Sequence, residues 1–177
     1  TASITSDGEF VRMLESVDDA LEGRCLPESR MLLEAHVQYD GRQLAAMALN
    51  DIVVSKRETG RMLDLRTWVD GAYVNTHGGD GFIVSTSTGS TAYALSCGGP
   101  IVHPSLSLMV LVPICPHTLS DRPIVVSADS IVEIELADRF EARAQVVCDG
   151  MVLSELVPGE RLRICRASIS ATLLHPP

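Results

Sequence analysis

Asp80-Gly81-Phe82-Ile83-Val84-Ser85-Thr86-Ser87-Thr88-Gly89-Ser90-Thr91-Ala92-Tyr93 changes character twice within one short stretch. Residues 82–84 are apolar and β-prone, the next few are small and hydroxyl-bearing, and residues 91–96 are competent for a short helix. Gly98-Gly99-Pro100 stops that helix, because glycine takes the left-handed cap and proline cannot continue. A strand, a hydroxyl-rich turn and a helix start together offer N–H groups and hydroxyls to a ligand. An ordinary capped strand-to-helix turn, whose Ser and Thr serve only the backbone, has the same pattern.

Outward from this loop the chain alternates with period two. On the N-terminal side, Phe10, Met13, Leu14, Val17, Ala20 and Leu21 form a helical stripe that ends at Gly23 and predicts a helix packed on a sheet. Residues 30–39 then alternate, and Asp40-Gly41 is a two-residue hairpin signal. Residues 43–55 form a second β-like run, 62–69 a third, and Asp70-Gly71 turns the chain into 72–76. Beyond the loop, 106–114 reads as a buried strand. Short strands follow at 124–127, 131–136, 142–148, 151–157, 161–167 and 169–174, with a hairpin turn at Asp149-Gly150. Many short strands punctuated by turns predict a mainly β fold. It is expected to be a multi-stranded β-sandwich with an N-terminal helix and a short helix after the loop, in one domain over 1–177.

The 177 residues suffice for one domain with a core, and that core is aliphatic, since 46% of residues are hydrophobic but only 4% aromatic. A formal charge of −9 argues against nucleic acid or an anionic membrane as the main partner, while leaving a nucleotide open. The longest apolar run, 108–115, is too short to span a bilayer, no charged leader with an apolar core opens the chain, and the expected location is cytoplasmic. The five cysteines (Cys25, Cys97, Cys115, Cys148, Cys165) include no CxxC pair, mostly sit in apolar stretches, and are expected to be buried and reduced. Cys115-Pro116-His117 lacks a second ligand pair, so no metal site is assigned. Asn50-Asp51, at the head of an apolar strand, can donate to and accept from a sugar hydroxyl or a base edge, or can simply end a strand. No GxSxG elbow surrounds Ser85, Ser87 or Ser90, against a serine hydrolase.

The run DGFIVSTSTGSTAYALSCGGPIVHP resembles the glycine- and threonine-rich motif of the bacterial NAD kinases, approximately DG-hydrophobic-IVSTPTGSTAY-x-LSAGGPI-x-HP. Ser87 replaces the usual Pro and Cys97 the usual Ala. The resemblance extends over nearly the whole chain and implies the C-terminal, NAD-binding and oligomerisation domain of such an enzyme. This is a phosphotransferase that makes NADP from NAD with ATP or polyphosphate as donor and a divalent metal, Mg or Mn. It implies NAD-binding roles for Asn50, Asp51, Arg61, Gly78, Asp80, Thr91, Ala92, Tyr93, Ala94, Leu95, Ser96 and Asp149. Ala94 and Leu95 are expected as wall rather than polar contacts. Met151 stands where the family often has Gln. Gly78-Gly79-Asp80-Gly81 copies the letters of the family's catalytic GGDG but lies just before the TGSTAY loop, so Asp80 is expected to contact NAD and not to act as the base. His103 and His117 are expected to be structural. The catalytic GGDG belongs to an N-terminal α/β domain of the family. No strand–Gly-rich loop–helix unit precedes residue 9, so that domain is expected to be absent from this chain and no catalytic residue is assigned. Subunits would associate as dimers or tetramers, with no nucleic-acid or membrane partner. The alternative reading is a non-catalytic β-sandwich for assembly or nucleotide sensing.

Overall fold

A computed structural model describes residues 7–57, 62–117, 121–138 and 143–176. Two compact units make up the chain: Met31–Ser170, and the chain ends, Thr1–Arg30 with Ala171–Pro177. The second of these contains helix α1 (Asp7–Leu21), on which Met13, Leu14, Val17 and Leu21 are exposed. In the same unit Glu28 pairs with Arg30 at 2.7 Å and with His175 at 2.6 Å. The Arg30 hydrogen bond is the main reason its carboxyl is held below the ordinary value.

The strands are β1 (Leu26–Tyr39), β2 (Arg42–Ala48), β3 (Asp51–Lys56), β4 (Leu63–Val69), β5 (Ala72–Gly79), β6 (Gly81–Thr86), β7 (Leu108–Ile114), β8 (Ile124–Ser127), β9 (Val132–Leu136), β10 (Ala144–Cys148), β11 (Met151–Leu156) and β12 (Arg161–His175), and the larger unit holds all of them but the first residues of β1 and the last of β12. They form two six-stranded sheets, ordered β2-β1-β12-β9-β4-β5 and β11-β10-β3-β6-β7-β8. The predicted β-sandwich is therefore present, with most strand positions as read from the alternation. The expected run 43–55 is two strands, broken at Leu49-Asn50, and the two expected terminal strands are one, β12.

Period two explains the sandwich. Leu33, Ala35 and Val37 of β1, Leu63 and Leu65 of β4, and Leu162 and Ile164 of β12 face Ile52, Val54, Phe82, Val84 and Leu111 of the other sheet, nearly all fully buried. Each Leu, Ile, Val or Phe among them contributes about 1.5–3 kcal/mol of transfer free energy. The hairpin signals hold as well. Asp40, Asp70 and Asp149 have φ of 50°, 52° and 45°, each followed by a glycine of positive φ. Two successive left-handed residues make the tight turn whose twist suits an antiparallel pair.

A second layer covers the outer face of the β3-containing sheet. Ile83, Val110, Val112 and Ile114 pack there against Ala94 and Val102, from the segment that follows the hydroxyl-rich loop. β6 is consequently buried at every residue and β7 at all but its first. Both faces are covered, so these two strands read in the sequence as continuous apolar runs and not as alternation.

Candidate functional site

β3 is the floor of the site. Its even-numbered residues Ile52 and Val54 enter the sandwich core, so Asp51, Val53 and Ser55 must point to the opposite face. There they line a pocket of ≈ 340 Å³ together with Tyr93, Val147 of β10 and Gly150 of the β10–β11 turn. Asp51 pairs across the sheet with Ser85 of β6 and Ser55 with Gly81, which places the hydroxyl-rich loop at the Asp51 end.

Most hydroxyls of that loop serve the backbone. Ser85, Thr86, Ser87 and Ser90 are buried. Ser85 Oγ donates to the Asn50 carbonyl at 3.2 Å and Thr86 Oγ1 to the Leu49 carbonyl at 2.7 Å. Thr86 Oγ1 in turn accepts from the Gly89 N–H at 3.0 Å. Ser87 Oγ donates to the Leu106 carbonyl, and Ser90 Oγ accepts from the Val102 N–H at 3.1 Å. The Ser85 and Thr86 bonds lock the loop onto the residues before β3, and the Ser87 and Ser90 bonds onto the segment that follows it. Gly89 makes the closest approach: a Cβ there would stand 2.1 Å from the Asn50 carbonyl oxygen.

The expected single helix over 91–96 is instead a 3-10 turn, Thr88–Thr91, and one α-turn, α2 (Tyr93–Ser96), separated by Ala92 at φ −92° and ψ −129°. The break turns Tyr93 outward, 46% exposed. Gly98, at φ 84°, donates to the Leu95 carbonyl at 3.0 Å, and Gly99 to the Ala94 carbonyl at 2.9 Å. This paired closure is the expected left-handed cap.

Two carboxylates meet at the site and a third lies beyond it, and each is engaged differently. Asp149 accepts the backbone N–H groups of Leu49, Asn50 and Asp51 at 2.6, 2.8 and 3.1 Å. Its side chain thus braces the bend that leads into β3. Asp51 accepts the backbone N–H of Tyr93 and is only 6% exposed. Burial pushes its carboxyl above the ordinary value, the nearby Asp149 charge pushes the same way, and the Tyr93 N–H opposes them. Asp80 pairs with Lys56 Nζ at 2.6 Å, past the far end of the β3 floor. Burial also raises the hydroxyl of Tyr93 and, more strongly, the thiol of Cys148, pushed up to about 11.

The sequence-predicted residues fall into groups. Asn50, Asp51, Tyr93 and Asp149 come together. Asn50 is held by its backbone, its carbonyl accepting from Thr86 N–H at 2.9 Å. Ala94 is buried as wall, whereas Leu95 is 41% exposed. Thr91 and Ser96 are exposed and Ala92 half-buried beside Tyr93. Gly78 and Asp80 lie at the β5–β6 connection, where the Gly78 carbonyl accepts from His117 N–H at 3.0 Å. Arg61 lies outside the described residues. His103 is exposed, with Nδ1 2.7 Å from Ser105 Oγ.

Sequence reasoning missed Val53, Ser55, Val147 and Gly150 as lining, and Lys56 as the partner of Asp80. The signal for the first two was the 51/53/55 alternation once Asp51 was singled out. It also missed His77, fully buried, with Nδ1 2.7 Å from Asp121 Oδ2. The cysteines depart from expectation: only Cys148 is buried, Cys25, Cys97 and Cys165 are half-buried, and Cys115 is exposed.

The pocket does not fit a divalent metal. Asp149 is engaged by three amides and Asp80 by Lys56 beyond the far end of the floor, which leaves Asp51 with no second carboxylate beside it to complete a metal ligand set. Among the described residues no trio of ligand atoms gathers here.

A two-sheet β-sandwich carrying a nucleoside-sized pocket under a TGSTAY loop is the class of domain that fold and site define. The family model described as ATP-NAD kinase C-terminal domain matches residues 49–175, and the chain belongs to that family. It is 47% identical over 165 residues to the NAD kinase of Thiobacillus denitrificans, covering 93% of this chain and 56% of that protein. It is 44% identical over 159 residues to the NAD kinase of Hahella chejuensis, covering 89% and 54%. The chain therefore spans about half the length of these relatives. Among solved structures it resembles yeast NADH kinase complexed with NADH, at TM-score 0.87 and 25% identity, over 95% of this chain and 50% of that one. It also resembles the NAD kinase of Archaeoglobus fulgidus in complex with ATP, at TM-score 0.76 and 30% identity, over 92% and 60%. No helix among the described residues is long and apolar enough to cross a membrane.

Proposed function

We propose that this chain is the nucleotide-gripping half of an NAD kinase. It holds the adenosine of NAD so that the ribose 2′-hydroxyl is presented to the terminal phosphate of ATP or polyphosphate, giving NADP. The observation that carries this reading is the buried Asp51 carboxylate beside the exposed Tyr93 ring, over a floor that is otherwise Val53 and Ser55. A carboxylate accepts from ribose hydroxyls or an exocyclic amine, and an aromatic face stacks on a base. Asp51 and Asp149 make this end acidic, which suits the uncharged nucleoside and repels phosphates. The volume falls in the small-molecule range of about 300–1,000 Å³.

The remaining predicted contacts, Asn50, Arg61, Gly78, Asp80, Thr91, Ala92, Ala94, Leu95, Ser96 and Asp149, belong to the same proposal. Asp149 acts in it as the brace that positions Asn50 and Asp51. Phosphoryl transfer asks chiefly for alignment and charge neutralisation. Alignment is the part assigned to this chain; the base, and the groups that hold the donor phosphates with their divalent metal, are assigned to residues outside it. Association of copies through this domain is part of the same reading.

Calorimetric titration with NAD tests it, on the chain and on Tyr93→Ala and Asp51→Asn. Loss of base stacking is expected to weaken binding by about 1–3 kcal/mol, or roughly 5- to 150-fold. Parental affinity in both variants, or no binding of NAD by the parent chain, would overturn the reading.

A further inference from the structure

The outer face of the β1-containing sheet is charged from strand to strand. Arg66 of β4 pairs with Glu135 of β9 at 2.9 Å, and Arg161 of β12 reaches Glu135 at 3.0 Å and Glu133 at 3.8 Å. The Arg161 guanidinium also lies 4.3 Å from the centre of the Trp68 ring. At its β12–β1 end this lattice changes chemistry. Glu34 and His36 sit two residues apart on β1, and Cys165 sits on the adjacent β12. One ligand atom from each lies within 4.8 Å of the other two. Leu33, Ala35 and Val37 take the core side of β1, so Glu34 and His36 share the outer face.

We propose that Glu34, His36 and Cys165 form a binding site for a zinc-type divalent transition metal, separate from the nucleotide pocket. The donor set is one thiolate, one imidazole nitrogen and one carboxylate oxygen, which is the borderline-soft combination that selects zinc over magnesium or calcium. It therefore does not duplicate the hard metal that accompanies a phosphate donor. Tetrahedral zinc with ligand bonds of about 2.0–2.3 Å holds its ligand atoms roughly 3.3–3.8 Å apart. Glu34 Oε2 and His36 Nε2 already stand 3.3 Å apart. Side-chain rotation on this half-buried face brings the thiol to the same range.

Two neighbours support the assignment. Gln43 of β2 has its amide 3.5 Å from His36 Nδ1. With the amide oxygen turned to that nitrogen, Gln43 accepts Nδ1–H and leaves Nε2 free to ligate, the arrangement that orients metal-bound histidines. Arg163 Nη1 lies 3.4 Å from Cys165 Sγ, on the same outward face of β12, which sets the thiol beside Glu34 and His36 and away from Leu162 and Ile164 of the core. Loading releases the thiol proton to solvent, so affinity rises with pH.

The test is cobalt substitution in the whole chain. One Co²⁺ is expected to bind with the intense visible bands of a tetrahedral site and a thiolate-to-cobalt charge-transfer band, both displaced by Zn²⁺ and not by Mg²⁺. Cys165→Ser should remove the charge-transfer band, His36→Ala should weaken or remove the complex, and Cys115→Ser should leave it intact. Gln43→Ala should weaken it on the order of 10-fold. All four side chains lie outside the sandwich core, and circular dichroism of each variant confirms folding. Absence of the bands in the parent, or a charge-transfer band that survives in Cys165→Ser, would overturn the proposal.

Discussion

Asp149→Asn isolates the brace under the site. The wild-type carboxylate accepts three backbone N–H groups at 2.6–3.1 Å, and its own N–H donates to the Asp51 carbonyl at 3.1 Å. Asparagine keeps the left-handed backbone that φ 45° demands. It loses the charge and one acceptor oxygen. Hydrogen bonds to charged groups contribute about 1.5–3 kcal/mol, against about 0.5–1.5 for neutral ones, so three bonds lose roughly 3 kcal/mol in the limit. Water replaces part of this at the exposed Leu49 and Asn50 amides, leaving a net loss of about 2 kcal/mol. For a chain of this size that lowers Tm by roughly 4–8 °C. Differential scanning calorimetry reads it directly, and Asp149→Ala, which adds left-handed strain, should fall further. NAD affinity should drop with Tm, because the brace sets the Asn50-Asp51 backbone. An Asp149→Asn chain melting within about 1 °C of the parent would refute the reasoning.

Asp51→Asn should behave oppositely in stability. The folded carboxyl lies above its ordinary 3.8, chiefly through burial, so its stabilising contribution is complete below the unfolded value and is lost as pH rises through the folded one. At pH 7 the ionised Asp51 is therefore a net cost. The variant should melt higher than the parent at pH 7, with the gap closing toward pH 4; a lower Tm with a pH-independent gap would contradict this. Gly89→Ala drives a methyl against the Asn50 carbonyl oxygen and should cost about 3 kcal/mol or more, read as a fall in both Tm and NAD affinity. Leu111→Ala, fully buried between the sheets, should cost about 2–5 kcal/mol while leaving the affinity of the folded fraction unchanged. The isolated chain should form no NADP from NAD and ATP with Mg²⁺, and turnover in a coupled assay would place catalytic groups within it.

Alternation and turn chemistry carried most of the fold. Leu33, Ala35 and Val37 announce a core face, and three Asp-Gly pairs announce hairpins, because these depend on neighbours in sequence. What local pattern cannot express is pairing at long range. Nothing near Asp149 shows that its carboxylate reaches Leu49, Asn50 and Asp51, and nothing near Lys56 shows Asp80. The hydroxyls of the loop were ambiguous for the same reason: whether Ser85 and Thr86 face a ligand or the Asn50 and Leu49 carbonyls depends on which strand lies beside β6. Ala92 looks helical by propensity, yet its backbone breaks the helix, since the closure against β3 outweighs a few tenths of a kcal/mol of preference. His77 was passed over because its partner, Asp121, lies beyond two further strands.

The alternation of β3 separates two kinds of mutational freedom. Positions 52 and 54 answer to the packing between the sheets, 51 and 55 face the pocket, and Val53 answers both to the pocket and to the outer layer it shares with Ile83, Ala94 and Val102. Exchanges at Ser55 can reshape selectivity among nucleosides without disturbing the packing beneath. An insertion of one residue anywhere in the strand would exchange the two sets, abolishing recognition and folding together. Selection on ligand preference and selection on stability thus act on interleaved letters of one six-residue word.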